Sequence, residues 1–173
     1  MSRLIKDKTG HSLPPTIDRI KVRPATKGDV AEVVDLVVRL KRLNNEFDPL
    51  FMVVEDAKER AVKYVSGTLG LPKALLLVAT KGEKVIGFLR AELRERLFYE
   101  PHIEGHITEM YVLPEFRRTQ MGEEILQRGT SELVKLGAEI IVGDLASRNE
   151  IAVQFYTKRG FRRLTETYAH MPQ

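Results

Sequence analysis

Between residues 111 and 126 the chain reads YVLPEFRRTQMGEEIL: an apolar run, a proline, two arginines, then a helix-forming segment. A strand that turns into a helix this way leaves backbone N–H groups pointing out of the helix N-terminus, where a phosphate can be bound. The helix dipole and the neighbouring positive charge favour an anion at the same place. On that reading the N–H groups of Arg118, Thr119, Gln120, Met121, Gly122 and Glu123 face the anion. On spacing alone the alternative is an ordinary strand-loop-helix connection with exposed arginines. A glycine is expected where a ligand approaches the backbone closely. Gly122 satisfies this, but Gln120 stands at a second such position.

Two carboxylates interrupt apolar strands. Glu109 lies in HITEMYVL and Asp144 ends EIIVGDL. A charge in such a strand is costly without a partner or a task, and for Asp144 a hydrogen bond to a loop is the plainer explanation. A third segment, NEIAVQFYTKRGF (149–161), has Asn149 at a helix N-cap position, with Ala152, Phe155 and Tyr156 at core spacing.

The elements that must position these groups follow from periodicity and punctuation. IKVRPAT (20–26) is a strand, and Thr26 with Asp29 forms a capping box opening a helix through DVAEVVDLVVRLKRL. Pro49 in NNEFDPLF breaks that helix, and a second runs from Val54 to Ser66. KALLLVAT (73–80) and VIGFLRAEL (85–93) form a hairpin, and a further strand leads from His102 to Pro114. A helix from Gly122 to Leu136 is ended by Gly137. EIIVGDL (139–145) has the continuous apolar pattern of a strand buried on both faces. A helix over 149–159 and a last strand from Phe161 complete the order β-α-α-β-β-β-α-β-α-β. The fold class expected is α/β, with one mixed central sheet flanked by helices, preceded by a polar extension over residues 1–18.

Composition narrows the function. The 173 residues suit one domain, and 43% hydrophobic with 30% charged residues describes a globular chain. No apolar run spans a bilayer and no signal-peptide pattern opens the chain, so a cytoplasmic protein without membrane attachment is expected. The absence of cysteine excludes thiolate chemistry, and the four histidines lack metal-site spacing. A net charge of +4 suits an anionic partner. No basic run is interleaved with aromatics, which argues for a phosphorylated small molecule over nucleic acid.

These segments resemble the GCN5-related N-acetyltransferase (GNAT) family from about residue 20 to the end. YVLPEFRRTQMGEEIL is similar to its cofactor loop, although Gln120 departs from the pattern, a side chain tolerated there only if φ is negative. NEIAVQFYTKRGF matches the family's second signature at Asn149, Ala152, Phe155, Tyr156, Lys158, Gly160 and Phe161. The resemblance implies an α/β GNAT-like domain (19–173) that uses acetyl-CoA and no metal to acetylate an amine of a small molecule, polyamine, peptide or protein. It implies that the backbone of Met110, Tyr111 and Val112 holds the pantetheine arm and that Arg117 opens the phosphate loop. It further implies that Asn149 touches the cofactor and that the Tyr156 hydroxyl serves the sulfur. Glu109 and Asp144 are the two candidate bases, Glu109 first. A non-catalytic acyl-CoA-binding module of the same fold is the alternative, for which Gln120 is the support.

The acceptor is less legible. Glu46, Asp48, Glu55 and Asp56 form an acidic set that could draw a cationic amine, or a merely solvated connection. A homodimer, common in the resembled family, is expected to use the extension and the region of Tyr168 and Met171.

Overall fold

The computed structural model describes residues 20–117 and 119–172. The expected extension over 1–18 and the N–H of Arg118 lie outside the described residues. Nine principal elements follow one another: β1 (Ile20–Pro24), α1 (Val30–Phe47), α2 (Ala57–Thr68), β2 (Ala74–Lys81), β3 (Lys84–Glu95), β4 (Ile103–Val112), α3 (Met121–Lys135), β5 (Ile140–Gly143) and α4 (Glu150–Thr157). The sheet order is β1-β2-β3-β4-β5, with the first three pairings antiparallel and β4–β5 parallel. The change of direction requires a crossover, and α3 supplies it.

Each boundary has a local cause. The Thr26 N–H and hydroxyl both donate to Asp29 Oδ2, at 2.7 and 2.8 Å, and Arg23 clamps the same carboxylate with two bonds of 2.8 Å. The Arg23 guanidinium thereby holds the Asp29 carboxyl well below the usual carboxylate range, against the effect of burial. The expected first helix ends later than the NNEF segment suggested, running to Phe47 before Asp48 turns extended ahead of Pro49. Gly82, Gly137 and Gly160 take the positive φ values (60°, 108° and 85°) that the hairpin and the two helix ends demand.

The core packs against the sheet from α1 and α2 with Val33, Val37 and Val65, and from α3 with Ile125 and Leu133, around the strand residues Leu77, Phe88, Leu89 and Ile107. Leu89 and Arg90 show how the two faces divide. Leu89 packs so tightly on α3 that a Cβ on Gly129 would come within 2.8 Å of it. Arg90, one residue on, points the other way to Thr68 of α2.

Two expectations for the C-terminal third are corrected. Residues 161–172 form no strand. Phe161 packs edge-on against Tyr156, with centroids 5.0 Å apart, and the polar sequence beyond it exposes Leu164, Tyr168 and Met171. As a result β5, four residues long, is an edge strand whose residues are half-buried, not a strand buried on both faces.

Candidate active site

Parallel pairing of β4 with β5 runs only from Glu104↔Ile140 to Ile107↔Gly143, closed by the Asp144 N–H to Ile107 O bond of 3.1 Å. Beyond Ile107 the strands part, so Thr108 to Val112 has no strand beside it on that side among the described residues. The N-terminus of α3 follows one end of the gap, and a cavity of about 470 Å³ lies on the face where α1 and α2 pack.

At the α3 end the N–H of Thr119 bonds Phe116 O (3.2 Å), and Met121 N approaches Thr119 Oγ1 at 3.3 Å. The first bond into the α3 backbone is Glu124 N to Gln120 O, 2.9 Å, so the N–H groups of Gly122 and Glu123 are left to face outward. Gln120 has φ −69°, and no non-glycine residue among those described has positive φ. The departure at this position is therefore unstrained, and the residues fit an anion bound by backbone N–H groups. Gly122 is small for another reason. A Cβ there would lie 3.2 Å from the Phe155 ring, so it lets α3 and α4 approach. Arg117 turns inward: its Nε donates to Val112 O at 2.9 Å and its guanidinium lies 5.1 Å from the Tyr111 ring.

Across the gap, Asn149 caps α4 by accepting from Ala152 N at 3.1 Å, as the sequence suggested. This aims Tyr156 at the end of β5, where a Cβ on Gly143 would stand 3.8 Å from the phenol oxygen. Burial, reinforced by the negative charge of Asp144, pushes the Tyr156 hydroxyl up to about 12. It is therefore a phenol, and a proton donor, throughout the neutral range.

Glu109 reaches the cavity through a β-bulge. Ala91 pairs with Ile107 and Arg90 with Glu109, which leaves Thr108 as the extra residue. In an unbroken strand Glu109 would share the face of Ile107, against the core. The inserted residue turns it to the face of Arg90. There it is 7% exposed and accepts three bonds: from Lys41 Nζ (2.8 Å), the Tyr64 hydroxyl (2.7 Å) and Thr108 Oγ1 (2.7 Å). Burial pushes its carboxyl up, but the Lys41 charge and these three donors outweigh it and hold the group below its ordinary value. Tyr64 is pushed up by burial and by Glu109, and the Arg90 guanidinium lies 4.3 Å from its ring.

Asp144 is built differently. Its side chain is 67% exposed, and Oδ2 lies 2.8 Å from Nε2 of buried His106. The other ring nitrogen lies 2.9 Å from Glu104 Oε1 and 2.8 Å from Arg94 Nη1. Both ring nitrogens of His106 thus have polar partners. Glu109 and Asp144 thus line one cavity, together with Lys41, Tyr64, Arg90 and Glu92.

The sequence profile of the acetyltransferase (GNAT) family matches residues 40–161. The chain belongs to the acetyltransferase (GNAT) family. No curated protein matches it in sequence. Among solved structures, this GNAT chain superposes on the aminoglycoside N-acetyltransferase AAC(6')-Iy in complex with CoA, with a TM-score of 0.74 and 15% identity over 93% of this chain and 99% of that one. The BH1408 protein of Bacillus halodurans, as a tetramutant, gives 0.75 at 20% identity over 88% and 99%. AAC(6')-IG of Acinetobacter haemolyticus gives 0.70 at 17% over 88% and 98%. At such identities the likeness is one of fold, and it agrees with the α/β architecture expected from the sequence.

The acidic set of the α1–α2 connection does not converge on the cavity. Asp48 accepts from Leu50 N (2.9 Å) and faces Arg148 (3.6 Å), and Asp56 holds Arg60 at 2.8 Å. The residues that surround the two carboxylates, namely Lys41, Tyr64, Arg90 and His106, carried no local signal. Only a polar side chain recurring in a core helix face (Lys41) or in an apolar strand (Arg90, His106) could have marked them.

Proposed function

We propose that this GNAT chain is an acetyl-CoA-dependent N-acetyltransferase acting on a primary amine. The observation that carries the reading is the parting of β4 and β5 between outward N–H groups at α3 and a cavity lined by two carboxylates, with the buried Tyr156 phenol at the end of β5. The co-substrate supplies an acetyl thioester. The N–H groups of Gly122 and Glu123 bind phosphate, the free edge of Met110 and Tyr111 aligns the arm, and Asn149 fixes the start of α4.

The chain's own groups then divide the proton work. Tyr156 gives a hydrogen bond or proton to the departing sulfur, which requires the phenol form that burial enforces. Glu109, ionised and deep in the cavity, orients the acceptor's ammonium and takes up its proton through water. Asp144, with His106 behind it, is the second candidate for that step. The fold of AAC(6')-Iy, solved with a bisubstrate analogue of CoA and acetylneamine, supports a small amine-bearing acceptor. Exposed Tyr168 and Met171 would carry a homodimer contact. Light scattering at micromolar concentration checks it, and monomer alone contradicts it.

Thermal shift with acetyl-CoA and thiol release over amines, polyamines and peptides test the reading together. Stabilisation by the ligand is expected from mass action, with turnover for at least one amine class. Stabilisation with no turnover on any acceptor would favour the acyl-CoA-binding module instead.

A further inference from the structure

Lys41 is a primary amine already inside the acceptor cavity. It projects from α1, lines the same space as Glu109 and Asp144, and bonds Glu109 Oε1 at 2.8 Å. Its side chain remains 44% exposed, so the four-carbon stem is free to swing while the head stays within the cavity. Other lysines of the described chain stand differently. Lys58 pairs with Asp35 and Lys73 with Glu95 on the open surface.

Resting on the acetyl-transfer reading, we propose that Lys41 is a site of self-acetylation, modified within one chain when no external amine fills the cavity. The Lys41 Nζ–acetyl C bond forms and the thioester C–S bond breaks. Of the two protons the ammonium loses, one ends on the released thiol and the other leaves through Glu109 to solvent. No oxidant or further reactant is needed. An amine carried in the cavity that an external acceptor would enter has the advantage that intramolecular reactions have over collisions in solution. The product has a consequence for the site. An acetylated Lys41 carries no charge, so Glu109 keeps only its bonds from Tyr64 and Thr108, and a neutral amide stands where an acceptor's amine would enter. Acetylation of Lys41 would in this way set the resting activity toward external amines.

The test incubates the full chain with acetyl-CoA and no acceptor, then follows each lysine-containing peptide by mass spectrometry. Lys41 should gain one acetyl group on the order of a hundredfold faster than Lys58 or Lys73, the range in which positioned acid–base groups act. The rate constant should not depend on protein concentration. Tyr156→Phe should slow it strongly, and Glu109→Gln serves as a second variant if the first folds poorly. Equal labelling of Lys41 and the surface lysines, or equal labelling in heat-unfolded chain, would mean chemical acetylation and overturn the proposal. A rate that rises with protein concentration would place the transfer between chains and overturn it as well. Acetyl-CoA stabilisation and turnover of panel amines with Lys41 unmodified would defeat this inference and leave the transferase reading intact. Absence of both stabilisation and labelling would defeat the two together.

Discussion

The two ends of the β4 gap are made from different materials. At α3 the groups that face outward are backbone N–H groups, exposed because any helix leaves its first turn unbonded. At the cavity the groups are side chains brought together from α1, α2, β3, β4 and the loop after β5. The first end is local, within a dozen residues of chain. The second joins Lys41 to Glu109 across 68 positions and Tyr64 to Glu109 across 45. A backbone site should tolerate changes of side chain, whereas a side-chain site should fail when single atoms are removed.

The sharpest contrast is at Tyr156. Tyr156→Phe removes one oxygen and should lower kcat by about a hundredfold or more, while the thermal shift given by acetyl-CoA stays nearly unchanged. Equal losses in kcat and in cofactor stabilisation would move Tyr156 from the chemistry to binding.

Glu109→Gln comes next. It keeps the shape but removes the charge that Lys41, Tyr64 and Thr108 are arranged around, and should cost roughly 1.5–3 kcal/mol of stability at neutral pH. The acid profile gives the sign. A carboxyl held below its ordinary value contributes stability that is fully present above the unfolded value of about 4.3. That stability is lost as pH falls through the lower folded value. Unfolding midpoints across acid pH should therefore fall less steeply in the variant, and parallel profiles would contradict the ion pair. Because Glu109 is already ionised at neutral pH, the alkaline rise of kcat/KM should follow the acceptor's amine and survive in Glu109→Gln.

The contrast between the two ends also marks what could be read from the chain alone. The elements, the Asn149 cap and the loop before α3 were legible because each is written in neighbouring residues. The Glu109 environment was not, because the bulge at Thr108 is a property of strand pairing and its ligands come from distant helices. Gly122 was recognised as a required glycine, but the tight contact is with Phe155. The expected strand from Phe161 failed because the segment beyond it is polar, with Leu164, Tyr168 and Met171 exposed, and offers no apolar face to pair or bury.

Smaller effects probe the α3 end. Gly122→Ala should destabilise the fold by about 1 kcal/mol, since the half-buried Phe155 ring must yield, with acetyl-CoA affinity changed little in the folded fraction. A large loss of affinity with normal stability would return Gly122 to the cradle itself. Smallest of all is Gln120→Gly. With φ at −69° the side chain imposes no strain, so calorimetry should find acetyl-CoA affinity within about threefold, under 1 kcal/mol. A gain of tenfold or more would show that the side chain obstructs the site.

The most direct test of the central claim is acceptor-dependent release of CoA thiol from acetyl-CoA, measured in the wild type and in Tyr156→Phe over one panel of primary amines. The account predicts turnover with at least one amine class, an acetylated amine as product, and its near-complete loss in the variant. Tight acetyl-CoA binding with no acetylated product from any amine would contradict it.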